Sequence, residues 1–265
     1  MKIALAQLDM GFENPPFAQN RCMEMMAEAA KQQADCIVFP EMTLTGFTML
    51  PEQFGEQKEN SPTVAFFRTE AIRHQLAVVF GVIFLENGAA TNHSIVLDQN
   101  GNLLADYAKI HPFSYGAEAK HYIGGNKLAF CQLNDVSLSP FVCYDLRFPE
   151  IFQVASRHSH ILTVIANWPA ARAAHWKILL QARAIENQCF IIGVNRSGSD
   201  RTLTYSGDSM LVSPTGEILA QLTTPNALAV VEIHPEEAEA YRKEFPLKAD
   251  RKEALYYSFF QSHLE

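Results

Sequence analysis

The stretch that most constrains this chain is Phe141-Val142-Cys143-Tyr144-Asp145-Leu146-Arg147-Phe148-Pro149-Glu150. The largely apolar run before it, Val136 to Val142, reads as a buried strand. Pro149 suits the first turn of a helix, because proline lacks the N–H that a helix start leaves unpaired anyway. Cys143 therefore falls at a strand-to-helix elbow. Such a turn exposes its side chain and leaves backbone N–H groups free beside it, so it suits a nucleophile. Taken alone, the stretch also fits a buried structural cysteine, which is what most free cysteines are.

The rest of the chain follows the same alternation. Lys2 to Leu8, Asp35 to Phe39 and Leu76 to Leu85 read as strands, with helical composition over Phe17 to Gln33 and from Ser61-Pro62 to His74. Asn92 to Leu97 and Leu103 to Ala108 flank Asp98-Gln99-Asn100-Gly101, whose Asn-Gly pair signals a hairpin. Leu128 to Leu133, Ile161 to Ala166 and Phe190 to Val194 are further strands. Trp176, Leu179, Leu180 and Ala184 fall on one face of a helix over Ala171 to Asn187. Met42 to Asn60 and Ile110 to Gly125 read as loops. Met210 to Val212, Glu217 to Gln221 and Leu228 to Ile233 read as late strands, Pro235 to Glu244 as a helix, and 245–265 as an extension without a clear pattern. Strands alternating with helices, with hairpins inserted, predict a mixed sheet system covered by helices. No repeat or linker interrupts it, so 1–265 reads as a single domain.

Composition excludes several functions. The chain has 265 residues, 48% of them hydrophobic, which is enough for a large core. The net charge of -8 and the lack of a basic run argue against nucleic acid and anionic membranes as partners. No apolar run approaches the ~20 residues of a membrane-spanning helix. The five cysteines, Cys22, Cys36, Cys131, Cys143 and Cys189, are odd in number and scattered, which fits a reducing, cytoplasmic setting. All but Cys143 fall in helix or strand patterns and read as core. No dinucleotide or phosphate loop and no cluster with metal-ligand spacing occurs, so no metal or cofactor is expected.

Three reactive side chains stand just past apolar strands: Glu41, Lys109 and Cys143. Sites form at the carboxyl ends of strands in α/β sheets, so the three could converge. Their chemistry is complementary. A cation lowers a thiol's pKa, a carboxylate can act as general base, and an ammonium can stabilise a developing oxyanion.

Pro40-Glu41, Tyr107-Ala108-Lys109-Ile110-His111 and Cys143 to Glu150 resemble the signatures of the nitrilase (carbon–nitrogen hydrolase) superfamily. So do Asn167-Trp168-Pro169, His175-Trp176 and Ala182 to Gln188. The resemblance implies a four-layer α-β-β-α sandwich, a homodimer, and amide hydrolysis through a cysteine thioester without a cofactor. It implies Glu41 as base, Lys109 on the tetrahedral intermediate, Cys143 as nucleophile, Glu118 as a second glutamate, and the backbone N–H of Tyr144 as oxyanion donor. Glu118 is expected to orient Lys109 and the substrate amide, and Glu118→Gln to leave stability nearly unchanged. Asp145 and Arg147 are expected to pair and hold the elbow, and His111 to hydrogen-bond nearby. Asn92-His93-Ser94 fits a glycosylation pattern and receives no role.

The short loop from Lys109 to Glu118 and the Trp168-Pro169 and His175-Trp176 pairs look most like the bacterial ω-amidase branch, whose substrates are 2-oxoglutaramate and 2-oxosuccinamate. Pro112 and Ala117 depart from that branch's pattern, in the loop that shapes the pocket. Arg172 or Arg196 would meet the far carboxylate of such a substrate. The alternatives are a deaminated glutathione-like or N-carbamoyl amine substrate, a silent binding protein, and a redox-sensing cysteine protein. The last needs a resolving thiol, and none lies within ten residues of Cys143.

Overall fold

The first strand shows how the layers arise. β1 (Lys2–Gln7) sends Ile3 and Leu5 into one core and Ala4 and Ala6 into another, as alternation along a strand requires. The computed structural model describes residues 1–262. The first half continues with α1 (Pro15–Lys31), β2 (Cys36–Val38), α2 (Pro51–Phe54), α3 (Pro62–His74), β3 (Ala77–Glu86), β4 (Ala89–Leu97), β5 (Leu103–Ala108) and α4 (Glu118–His121). The second half runs through β6 (Cys131–Leu133), β7 (Val136–Val142), α5 (Pro149–Ala155), β8 (Ile161–Ala166), α6 (Ala173–Asn187) and β9 (Phe190–Asn195). It ends with β10 (Ser197–Ser199), β11 (Thr204–Ser206), β12 (Met210–Val212), β13 (Ile218–Gln221), β14 (Ala227–Glu232), α7 (Glu236–Glu244) and α8 (Glu253–Ser262).

Two six-stranded mixed sheets result, in the orders β14-β1-β2-β3-β4-β5 and β13-β12-β9-β8-β7-β6. Each has a parallel centre, β1-β2-β3 or β7-β8-β9, with antiparallel flanks. Leu5, Val38, Val79 and Val96 of the first sheet share a core with Phe141, Val164 and Ile192 of the second. On the outer side, Ala18, Cys22 and Met26 of α1 and Phe67 of α3 bury Ile37, Val78 and Phe80. Trp176 and Leu180 of α6 and Phe152 of α5 cover the second sheet. This is the α-β-β-α layering expected.

The Asp98 hairpin forms as expected, with Gly101 at φ +77 and Asp98 Oδ1 accepting from the N–H groups of Asn100 and Asn102. Four regions differ from expectation, the first being α4 inside the segment Ile110 to Gly125 that reads as a loop. The loop before Asn60 contains α2 and a 3-10 turn at Lys58–Asn60, and the tail forms a 3-10 turn at Leu247–Asp250 and then α8. Residues 263–265 of that extension lie outside the described residues. The β10–β11 ribbon also appears unannounced, because strands of three residues, Ser-Gly-Ser and Thr-Tyr-Ser, are too short and polar to show a period. Among the described residues, no helix is long and apolar enough to cross a membrane.

Candidate active site

Cys143 follows β7 and opens a 3-10 turn, Cys143–Arg147, that leads into α5. Its φ is +47, a left-handed conformation that costs a non-glycine residue on the order of 1–3 kcal/mol. Asp145 supports the turn. Its Oδ2 accepts from Val142 N–H (3.2 Å) and from the Tyr107 hydroxyl (2.9 Å), and its Oδ1 accepts from His111 N–H (3.0 Å) and faces His111 Nδ1 at 2.8 Å. Asp145 thus ties the elbow to the chain on both sides of Lys109. The expected Asp145–Arg147 pair does not form. The Arg147 guanidinium instead lies 4.7 Å from the Trp168 ring and donates to His175 Nδ1 at 3.3 Å.

Lys109 follows β5 and is almost fully buried between two buried carboxylates. Its Nζ donates to Glu41 Oε1 (2.9 Å) and to both Glu118 oxygens (2.9 and 2.8 Å). Glu118 begins α4 and also accepts from Phe113 N–H (2.6 Å), which pins the loop before it. A surface position for Glu118 is therefore excluded. The burial of the pair argues for a stability cost in Glu118→Gln, because removing one partner of a buried pair leaves the other charge undercompensated.

Glu41 follows β2 and belongs to the first sheet, whereas Cys143 belongs to the second. Gly81 of β3 lets the Glu41 turn sit this close, since a Cβ there would meet Met42 N at 2.2 Å. Two residues that received no role hold the carboxylate. Asn92 of β4 donates from Nδ2 to Glu41 Oε1 (2.7 Å) and Glu118 Oε1 (3.1 Å). Asn167, just past β8, donates its backbone N–H to Glu41 Oε2 at 2.8 Å and its Nδ2 to the Glu41 carbonyl at 2.7 Å. The sequence signals for Asn167 were its place past a strand and in the Asn167-Trp168-Pro169 motif, neither of which gave it a role. For Asn92, inside a strand, there was none.

The electrostatics depart from the simple picture of a cation activating a thiol. Burial pushes the Cys143 thiol well above its ordinary value; Glu41 adds to this, Lys109 opposes it, and Glu118 adds again. Burial works against the Lys109 charge, but Glu118 and Glu41 outweigh it and hold the ammonium well above its ordinary value. These directions favour a neutral thiol beside a charged ammonium. The other cysteines are buried and free.

Above the thiol lies a cavity of ≈ 40 Å³ lined by Lys109, Cys143, Tyr144 and Asn167, with Phe47, Phe113, Trp168 and Leu203 as walls and Arg147 and Arg172 at its side. Arg172 precedes α6, and its guanidinium lies 5.4 Å from the Phe113 ring. Burial, and then the neighbouring Arg172, hold Arg147 below its ordinary value. Arg196 does not reach this cavity. It is fully buried, donates to Asp9 Oδ1 (3.3 Å) and the Ser199 carbonyl (3.0 Å), and stacks 4.5 Å from Tyr205. Its candidacy for substrate binding is withdrawn. Among the described residues no group of acids, histidines and cysteines could hold a metal ion.

The Carbon-nitrogen hydrolase family pattern matches residues 2–243. An omega-amidase, YafV, of Yersinia enterocolitica is 35% identical over 246 residues, 90% of this chain and 92% of that protein. The 2-oxoglutaramate amidase of Bacillus subtilis (strain 168) is 29% identical over 257 residues, 96% of this chain and 98% of that protein. A CN-hydrolase superfamily protein of Xanthomonas campestris, solved with an arsenic adduct in its active site, superposes with a TM-score of 0.89 at 30% identity. That match covers 95% of this chain and 97% of the other. With two stacked sheets and a thiol, an ammonium and two carboxylates gathered at their strand ends, the chain belongs to the carbon–nitrogen hydrolase family of the nitrilase superfamily, an enzyme of the amidase type.

Proposed function

We propose that this enzyme hydrolyses the ω-amide of a small 2-oxo dicarboxylate, such as 2-oxoglutaramate or 2-oxosuccinamate, to acid and ammonia. The observation that carries this reading is the pairing of Arg147 and Arg172 beside the Cys143 thiol in one small cavity. Neither guanidinium has a carboxylate partner among the described residues. Two like charges in a partly dry pocket are costly unless an anion joins them, and a carboxylate fits arginine in bidentate fashion.

In this reading the substrate's acid end meets the arginines and its amide carbon meets Cys143. Glu41 takes the thiol proton as sulfur bonds to carbon, because a thiol held neutral must lose its proton during attack and not before. The Lys109 ammonium and the Tyr144 backbone N–H receive the developing oxyanion. The carbon–nitrogen bond then breaks, ammonia leaves with the proton from Glu41, and water releases the acid from the thioester. Glu118 holds Lys109 in place.

The reading includes a homodimer, for which exposed Val154 of α5, Ile178 and Ile185 of α6, and Phe259 and Phe260 of α8 supply apolar surface. It also includes a reducing compartment, which the free cysteines suit. The deciding test is ammonia release from 2-oxoglutaramate, 2-oxosuccinamate, neutral amides of equal length, N-carbamoyl amines and nitriles. The anionic ω-amides should give the highest kcat/KM. A neutral amide turned over equally well would remove the role of the arginines.

A further inference from the structure

A second cavity, of ≈ 380 Å³, adjoins the first and shares Phe47, Phe113 and Leu203 with it. We propose that this outer cavity is a subsite for the leaving amine, and that Leu203 closes it so that the enzyme is restricted to primary amides. The inference rests on the amidase reading above.

The direction follows from what each wall carries. Arg147 and Arg172 flank the inner cavity and take the acid end of the substrate. Of the shared wall, Phe113 has Arg172 against it, whereas Phe47 has its ring centroid 5.6 Å from Lys109 Nζ, whose partner Glu41 carries the leaving-group proton. A substituent on the amide nitrogen would therefore run past Phe47 and, beyond it, into the outer cavity.

The chemistry of the outer cavity selects a neutral, apolar substituent. Its charged groups are already paired. Arg201 is bonded to Glu13 (2.6 Å), whose other oxygen accepts from Thr48 (2.7 Å). Asp200 accepts from the backbone of Thr202 and Leu203 and from the Tyr205 hydroxyl (2.6 Å). These bonds also fix the position of Leu203. It sits at the tip of the β10–β11 ribbon, which the turn at Asp200 and the Arg201–Glu13 pair clamp to the loop between β1 and α1, and Arg196 stacks on Tyr205. Leu203 is 39% exposed and faces both cavities, so trimming it leaves the core intact.

The step balances without any added reagent. Sulfur bonds to the carbonyl carbon, the carbon–nitrogen bond breaks, and the departing amine carries away the proton from Glu41, whether that amine is ammonia or a primary alkylamine. Water then adds to the thioester.

The test measures succinate formation from succinamate and from N-butylsuccinamate. Leu203→Ala should raise the kcat/KM ratio of the butyl amide to the primary amide by ~10-fold or more, the scale of a few methylenes gaining a pocket. Leu203→Trp should lower the ratio. Leu219→Ala, at an exposed leucine of β13 outside both cavities, should leave it unchanged. An unmoved ratio in Leu203→Ala overturns the gate, as does an equal shift in Leu219→Ala. Wild type that releases no ammonia from succinamate, 2-oxosuccinamate or 2-oxoglutaramate removes the ω-amide reading itself, whereas wild type active on succinamate with an unmoved ratio removes the gate alone.

Discussion

Each of the two facing sheets ends a parallel strand in a left-handed turn, and the two turns treat their reactive groups differently. After β2 the strained residue is Met42, at φ +47, and the carboxylate of Glu41 just before it is surrounded by donors from Lys109, Asn92 and Asn167. After β7 the strained residue is Cys143 itself, the proposed nucleophile, also at φ +47. Its thiol is held neutral by burial and by the nearby carboxylates, with Lys109 opposing. In the proposed mechanism, one turn fixes the base in place and the other holds the nucleophile as a thiol raised above its ordinary value. The comparison teaches that reactivity here is set between the sheets and belongs to neither strand end alone.

The strongest way to break this division is Cys143→Ala. Turnover should be abolished while circular dichroism and melting stay close to wild type, since only one side-chain sulfur is lost at a strained elbow. In wild type, mass spectrometry with substrate should show the acyl adduct on Cys143. An adduct on Cys131 or Cys189 would move the nucleophile elsewhere.

Glu118→Gln comes next. It keeps the shape but removes one of the two charges around Lys109, and kcat should fall by about 10²-fold, the scale of one positioned polar group in a dry site. The burial of the pair adds a second expectation: stability should drop by roughly 1–3 kcal/mol, as for a lost hydrogen bond to a charged group. Unchanged kcat in a correctly folded variant would make the loop before Glu118 a structural element only.

Arg172→Gln tests the other side of the cavity. KM for an anionic ω-amide should rise by about 10-fold with kcat little changed, which is the signature of lost uniform binding, while a neutral amide of equal length should be unaffected. A parallel loss for both would show that Arg172 shapes the cavity through its stacking on Phe113.

The smallest effect is the most diagnostic of the comparison. A thiol raised above its ordinary value of 9.0 stays protonated below that value and becomes thiolate only as pH passes the raised one. Alkylation by iodoacetamide should therefore keep accelerating above pH 9 instead of levelling there. Glu41→Gln removes a negative charge that raises the thiol, so its profile should move to lower pH. An unmoved profile would mean that burial and Glu118 hold the thiol neutral without Glu41.

The legible part of the site was the part attached to strand ends. Glu41, Lys109 and Cys143 each follow an apolar run that a single-residue period makes visible, and the order of their motifs carried the family. Asn92 and Asn167 were opaque for a physical reason. Their roles come from which backbone or amide group faces Glu41 across a sheet or between sheets, and no local pattern encodes that. The same holds for Arg196, which the sequence offered as a cation for substrate and the fold buries against Asp9 and Tyr205.

What the sequence alone determined was therefore the strand and helix content, the elbow at Cys143 and the identity of the reactive groups, because these depend on periodicity, proline placement and residue chemistry over short spans. Only the tertiary structure decided their state. Stacking the sheets buried Lys109 between Glu41 and Glu118, turned the expected activated thiol into a neutral one, and set Leu203 from a polar ribbon over the cavity. Charges act through distance and solvent exposure, and those are fixed only when segments far apart in the chain come together.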